Sequence, residues 1–264
     1  HRDLHSFPTR RSSDLVRLVD IRADDCCIHE ELIEAHITPF TKAIMPVHEF
    51  GQSADNDAIT LIAQHHNLTI IDDAACAFGS VYRNKKVGTS GMIGCFSLHP
   101  RKAITTGEGG FLVTNDNEIA DTVRSLRNHG IVNRDGKIDF MYAGLNYRMT
   151  DFQAALGCSQ LYVADSLNAY RRRIAAVYNE ILSQNPDIIL PREYDERIHV
   201  YQTYHIILPA SVDRDALIVK LKENGIETNY GAYALNTLTY YKEKYGYKDS
   251  DCPGAYRSEE HTSE

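Results

Sequence analysis

No stretch of the 264-residue chain approaches the roughly 18 uninterrupted apolar residues that a membrane-spanning helix requires, and the mean hydropathy is −0.37. No membrane segment is expected, and a soluble, cytoplasmic protein is. Positive charge is the scarcer sign: 28 Lys and Arg stand against 36 Asp and Glu, for a formal net charge of −8 and an isoelectric point near 5.8. That balance argues against a dedicated nucleic-acid binder and suits a small substrate better. The basic cluster Arg171-Arg172-Arg173 falls in a helical pattern, where a solvated face or a subunit salt bridge accounts for it.

Metal-type spacing is missing as well. Cys26, Cys27, Cys76, Cys95, Cys158 and Cys252 sit in apolar or helical patterns and read as reduced thiols. Cys26 and Cys27, with His29 close by, lack the C-x2-4-C interval that lets two sulfurs reach one tetrahedral ion. His65 and His66 are adjacent near a helix end and are expected not to face one metal, so no metal site is expected. Neither G-x-G-x-x-G nor G-x4-G-K-[ST] occurs, which removes the phosphate-binding turns of nicotinamide and nucleoside-triphosphate enzymes. There is no internal repeat and no low-complexity tract.

What is present is the composition of a folded domain, 43% hydrophobic and 24% charged, able to bury a core without disulfide or metal staples. The runs HSFPTRRSSDL (5–15) and RSEEHTSE (257–264) read as translated sequencing adapters, so 1–15 is expected to be an artefactual leader and 257–264 an artefactual tail. The remainder, Val16 to Tyr256, is expected to be an internal piece of a longer protein. Short β-branched runs alternate there with helical periods, the mark of an α/β fold with a largely parallel sheet. Strands are expected at Val16–Ile21, Lys42–His48, Leu68–Ile71, Met92–Leu98, Gly110–Thr114 and Tyr201–Leu208. Helices are expected at Asp55–His66, Asn117–Arg127 and Asp213–Glu223, the last closed by Gly225. Thr150 and Gln153 form a capping box that opens a long helix to about Leu182.

Three features could carry chemistry. Asp72-Asp73 ends an apolar strand, and the carboxyl ends of parallel strands face the ligand crevice; a carboxylate there can equally cap the next helix. Lys102 follows the Met92–Leu98 run and precedes Gly107, Gly109 and Gly110; a solvated surface lysine is the plain alternative. GLNYRMTD (144–151) is a polar loop before the long helix, explained in part by the Thr150 cap. Together, an amine and a buried carboxylate on neighbouring strand ends suit pyridoxal 5'-phosphate (PLP). The lysine would form a Schiff base and the carboxylate would keep the pyridine nitrogen protonated. Glycines after the lysine would let the backbone crowd the cofactor, and desolvation would favour the free amine.

The stretches PVHEFGQSADNDAI (46–59), TIIDDAACAFGS (69–80), GCFSLHPRKAITTGEGGFLVTND (94–116), RNHG (127–130) and GLNYRMTDFQAALG (144–157) closely resemble the DegT/DnrJ/StrS family of sugar aminotransferases. The resemblance implies a fold-type-I architecture: a mainly parallel sheet sandwiched by helices, with a truncated smaller α+β domain. On this reading 16–160 is the PLP-binding large domain without its N-terminal part, and 161–256 holds a connecting helix and part of the small domain. It further implies that Lys102 holds the cofactor and acts as general base, that Asp73 partners the pyridinium, and that Ser97 binds the phosphate. Asn146 would reach that phosphate from the neighbouring subunit of a homodimer. Cys76 stands where many members stack a Gln on the ring; a thiol can still pack there but loses the amide's hydrogen bonds.

The implied reaction moves an amino group, usually from glutamate, to a nucleotide-linked 4-keto-6-deoxy or 3-keto sugar. Relatives that remove the C3 hydroxyl characteristically carry His in place of the lysine, so the amine of Lys102 favours transamination. A sugar 3-dehydratase and an inactive cofactor-binding regulator are the alternatives. The tyrosines from Tyr230 to Tyr256 could line a sugar pocket or pack the small domain. Without its upstream phosphate-binding turn, the piece alone is expected not to be a competent catalyst.

Overall fold

The computed structural model describes residues 15–259. The expected leader and tail lie outside the described residues except for Leu15 and residues 257–259, the last three falling in the final helix. The central sheet has the order β1 (Ala43–Ile44), β2 (Thr69–Asp73), β5 (Ile93–Ser97), β6 (Gly110–Val113). β1 and β2 are parallel, as are β2 and β5, whose register sets Asp72 opposite Gly94 and Asp73 opposite Cys95. β6 returns antiparallel to β5. The sheet is thus mainly parallel, with one reversed edge.

Between β1 and β2 runs α2 (Asn56–His65), opened by Asp55, whose carboxylate accepts the Ala58 N–H at 3.1 Å. Its apolar stripe, Ile59 and Ala63, packs with Ile44, Ile70 and Ile33 of α1 (Ile33–His36) into the largest core cluster. A second cluster, Ala74, Ala77, Tyr82 and Val87, sits beyond the end of β2, beneath the hairpin β3 (Val81–Tyr82) and β4 (Lys85–Lys86). Chain approach there is so close that a Cβ on Gly94 would fall 1.8 Å from the Gly88 carbonyl oxygen.

After α3 (Asn117–Leu126), the hairpin β7 (Ile131–Arg134) and β8 (Lys137–Phe140) stands out from the body with Ile138 and Phe140 exposed. The single long helix expected from 150 to 182 is two: α4 (Asp151–Leu161) and α5 (Ala164–Leu182). Val163, at φ −111° and ψ 0°, breaks the path between them. The break lets Ala164 join the Leu98 and Ile104 cluster, while Asn168 donates to the Phe78 carbonyl at 3.0 Å. The capping box of Thr150 and Gln153 is present as expected.

Two expected strands are absent. Residues 16–21 form only one isolated bridge, Ile21 to Ile28, and 201–208 only one, Ile189 to Ile207, with a bend at 202–203. The second is interrupted where Tyr201 takes a left-handed φ of 47°, which breaks the pleat. β9 (Arg197–Ile198) instead pairs with β3. α6 (Arg214–Glu223) ends with Asn224 as its last cap residue and Gly225 just beyond, at φ +77°. α7 (Thr239–Tyr245) and α8 (Pro253–Glu259) follow. The start of α8 is held by Asp20, which accepts the N–H groups of Gly254 and Ala255 at 2.7 and 2.9 Å. Within the basic cluster, Arg172 pairs inside the chain with Glu193 at 2.6 Å. No helix of the described residues is long and apolar enough to cross a membrane.

The two adjacent histidines at the end of α2 take different places in its last turn. His65 closes α2, but His66 is the cap residue beyond it, with φ −100° and ψ 6°. That turn brings both imidazoles to the Glu34 carboxylate, at 3.5 Å from His65 and 2.9 Å from His66. Adjacency in sequence therefore does not keep the two rings apart.

Candidate active site

β2 and β5 both end at the same rim of the sheet, and side chains alternate across a strand, so the last two residues of β2 face opposite sides. Asp72 faces inward and is fully buried. Its Oδ1 lies 3.2 Å from His48 Nε2, and its Oδ2 accepts the Gly91 N–H at 2.8 Å. The Ala54 N–H donates to His48 Nδ1 at 3.1 Å, which leaves the ring proton on Nε2 and makes that nitrogen the donor to Asp72. β1, the start of α2 and β2 are thereby tied by one closed polar unit.

Asp73 faces the other way. Its Oδ1 accepts the Ala75 N–H at 3.1 Å in a tight turn, and no helix begins there for it to cap. Burial pushes its carboxyl pKa up, against the opposing effects of the Ala75 N–H and the nearby His48 and Lys102. Three residues on, Cys76 Sγ accepts from Lys102 Nζ at 3.1 Å. The amine thus sits beside the turn that carries the carboxylate. Burial and the Glu49 charge raise the Cys76 thiol to about 11, so it is a neutral packing group at physiological pH.

Lys102 is aimed by a chain of turns at the end of β5. Ser97 Oγ accepts the His99 N–H at 3.3 Å, His99 Nδ1 accepts the Arg101 N–H at 3.2 Å, and the His99 carbonyl accepts the Lys102 N–H at 2.9 Å. α4 braces the far side of this segment through Gln160 to the Thr105 N–H and Gln153 to the Glu108 carbonyl, both at 2.8 Å. The following glycines answer to backbone geometry. Gly107 and Gly109 have φ of +82° and +146°, and a Cβ on Gly110 would lie 2.7 Å from the Phe96 carbonyl oxygen across the hairpin.

Among the five residues singled out in the sequence, the structure brings Asp73, Cys76 and Lys102 together, with Ser97 at the adjoining strand end. Asn146 lies elsewhere, exposed on the loop before α4 and bridged to Asn128. There RNHG turns through left-handed His129 and Gly130 against GLNYRM, with the His129 N–H donating to the Leu145 carbonyl at 3.0 Å and a Cβ on Gly130 excluded by the Tyr142 carbonyl at 1.8 Å. Sequence reasoning missed His48, His99 and Glu49. Glu49 follows His48 at the rim; burial and the Asp73 charge raise its carboxyl pKa, and Lys102 opposes them. The one signal for Glu49 was a charged residue between His48 and the Phe50-Gly51 turn.

The residues fit a cofactor that needs a primary amine and a carboxylate on one rim. Asp73 is a half-buried carboxylate held by a single backbone bond, and Lys102 has a thiol, a weak acceptor, as its neighbour. A surface cleft of about 230 Å³ lies apart from this rim, lined by Tyr82, Arg83, Arg192, Tyr194 and Arg197. Its charges are already engaged, with Arg197 on Asp55 at 3.0 Å and stacked 4.5 Å over Tyr194.

Residues 10–262 match the model of the DegT/DnrJ/EryC1/StrS aminotransferase family. The chain belongs to that family. Its members are PLP-dependent sugar aminotransferases of fold type I. The chain is 36% identical to the spore coat polysaccharide biosynthesis protein SpsC of Bacillus subtilis over 249 residues, 89% of this chain and 64% of that protein. It superposes on DesV of S. venezuelae, solved in complex with a ketimine intermediate, with a TM-score of 0.80 and 32% identity over 92% of this chain and 63% of that one. Spr1654 of Streptococcus pneumoniae, in its PMP form, gives a TM-score of 0.85 at 27% identity over 92% of this chain and 66% of that one; it has also been solved in its PLP form. The chain spans about 64% of the length of its curated relatives.

Proposed function

We propose that the protein containing this chain is a PLP-dependent aminotransferase that moves an amino group, from glutamate, to the keto carbon of a nucleotide-linked deoxysugar. The observation that carries the reading is the 3.1 Å approach of Lys102 Nζ to Cys76, three residues past Asp73, which sets an amine beside a half-buried carboxylate on adjoining strand ends. When bound, PLP supplies an electron-withdrawing ring that accepts the electron pair released as the substrate's Cα–H bond breaks.

The chain's own groups have separate tasks in this reading. Lys102 holds the cofactor through its Nζ and, once released by the amino donor, uses the same nitrogen to move the Cα proton. Asp73, a half-buried carboxylate whose side chain accepts one backbone N–H, would hold a proton on the ring nitrogen. Cys76 packs on the ring face beside the amine. Ser97 offers its hydroxyl to the phosphate. Asn146 serves the active site of a second copy, which its exposure favours. The surface around it presents Phe140, Tyr147 and Phe152, with Phe152 90% exposed, an apolar area suited to a subunit contact. We place the boundary between the cofactor-binding part and the smaller domain near residue 160.

The test uses the full-length gene product. Loaded with PLP, it should show the absorption of a lysine-bound cofactor and transfer the amine of glutamate to a keto-sugar nucleotide. Cofactor binding without transfer to any of a panel of 3-keto and 4-keto sugar nucleotides would refute the enzymatic reading.

A further inference from the structure

A second cluster of chemically active side chains lies away from the rim, where α1 meets the C-terminal end of α2. We propose that Glu34, His65 and His66 form a binding site for one divalent transition-metal ion of the zinc class, clamping α1 to the end of α2. One carboxylate oxygen, Glu34 Oε1, lies 2.9 Å from His66 Nε2 and 3.5 Å from His65 Nδ1. The three donor atoms all lie within 4.8 Å of one another.

The two separations to Glu34 are near those a metal imposes. With bonds of about 2.0–2.1 Å, two ligands of a tetrahedral zinc ion stand about 3.4 Å apart. The His65–Glu34 edge already has that length, and the His66–Glu34 edge needs to open by about half an ångström, within the reach of side-chain rotation. Two imidazole nitrogens and one carboxylate oxygen make a donor set for zinc, cobalt, nickel or copper rather than for calcium or magnesium, which prefer oxygen ligands throughout.

The backbone adds two favourable features. His66 caps α2, so the ion would sit beside the helix's last carbonyl groups, the negative end of its dipole. Next to Glu34 and His66 opens a cleft of about 380 Å³, lined also by Thr38, Thr41 and Leu68, with room for the waters that would complete the coordination shell. The His65 and Glu34 side chains are 76% and 56% exposed, so an ion has direct access and the ligands pay little desolvation on binding. A weak, exchangeable ion follows, unlike the closed site of a structural zinc domain.

The test titrates the full-length gene product with Co²⁺, read by visible absorption and calorimetry, and with Zn²⁺, read by thermal unfolding. It is run in a Cys158→Ser background because that thiol is exposed. One equivalent of Co²⁺ should bind with a nitrogen–oxygen spectrum lacking thiolate charge-transfer bands. His65→Ala and His66→Ala should each weaken binding at least about tenfold and abolish the zinc-dependent rise in unfolding temperature. His65 is exposed enough that its replacement leaves the fold intact, which circular dichroism verifies. Unchanged Co²⁺ affinity in the His65→Ala/His66→Ala double variant would place the ion on other histidines and overturn the proposal. No saturable binding would overturn it too, leaving Glu34 a simple hydrogen-bond partner of the two rings.

Discussion

On the inner face of β2, Asp72 has both carboxylate oxygens engaged, one by a buried histidine and one by a backbone N–H. On the outer face, one residue later, Asp73 is half-buried and receives a single backbone bond, and its neighbours are a thiol, an amine and another carboxylate. Both environments are polar and both belong to one strand. They differ in completeness. A buried polar group whose hydrogen bonds are saturated holds the fold in place, whereas a half-buried one with few protein partners is open to a partner that the chain does not itself supply. The closed unit around Asp72 fixes the strand ends, and the open one around Asp73 uses that rigidity.

The largest effect should come from the open side. Lys102→Ala in the full-length protein should remove the absorption of lysine-bound cofactor and lower amino transfer by about 10²–10⁴-fold or more, with little change in the unfolding midpoint. Retained transfer would mean that the amine on this rim is not the reacting one.

The two aspartates should then separate activity from stability. Asp73→Asn keeps the shape and removes a charge that its half-buried setting disfavours, so the cofactor-free chain should be no less stable while cofactor affinity and turnover fall. Asp72→Asn presents an NH₂ group either to the Gly91 N–H or to the donor nitrogen of His48, and one of those contacts becomes donor against donor. A loss of about 1–3 kcal/mol in denaturant unfolding is expected. If Asp73→Asn proves the more destabilising of the two, the contrast between the faces is wrong.

Much of this contrast was hidden in the sequence. Asp73 and Lys102 were visible because strand ends and the blocks around them carry a strong pattern, and β2, β5, β6, α2 and α3 form within a few residues of expectation. His48 was invisible because its partner lies 24 residues away and only the parallel pairing of β1 and β2 brings them together. The break at Val163 was equally hidden, since apolar periodicity continues on both sides and only the packing of Ala164 and Asn168 requires a change of direction. Residues 16–21 and 201–208 have strand-like composition, but β propensity describes fit to a neighbouring strand, and neither segment has one.

Acidity offers a finer probe of the open side. Burial raises the Glu49 and Asp73 carboxyls, so above their folded pKa values the charged forms penalise the native state in full. As pH falls through those values towards the unfolded ones, the native state takes up protons first and the penalty disappears. Asp55 behaves oppositely: its pKa sits low despite burial because the Ala58 N–H, the Tyr82 hydroxyl and Arg197 favour its charged form, so its contribution is lost on acidification. Glu49→Gln should therefore stabilise the cofactor-free chain near about pH 7, with the advantage over wild type shrinking towards about pH 4. A constant difference across that range would mean that Glu49 is not charged at the rim.

The smallest effect should come from Cys76. Its thiol, raised to about 11, contributes no charge at neutral pH, and sulfur is a weak acceptor for the Lys102 amine. Cys76→Ala should cost less than about 1 kcal/mol of stability and shift cofactor affinity by less than about tenfold. Cys76→Gln, with a carbonyl oxygen for the amine and an amide plane to lie against a ring, should bind cofactor at least as tightly as wild type. Spectral titration with PLP measures both. A loss in Cys76→Ala as severe as in Lys102→Ala would show that the open face depends on a specific sulfur contact, and its incompleteness would then be no guide to where the cofactor sits.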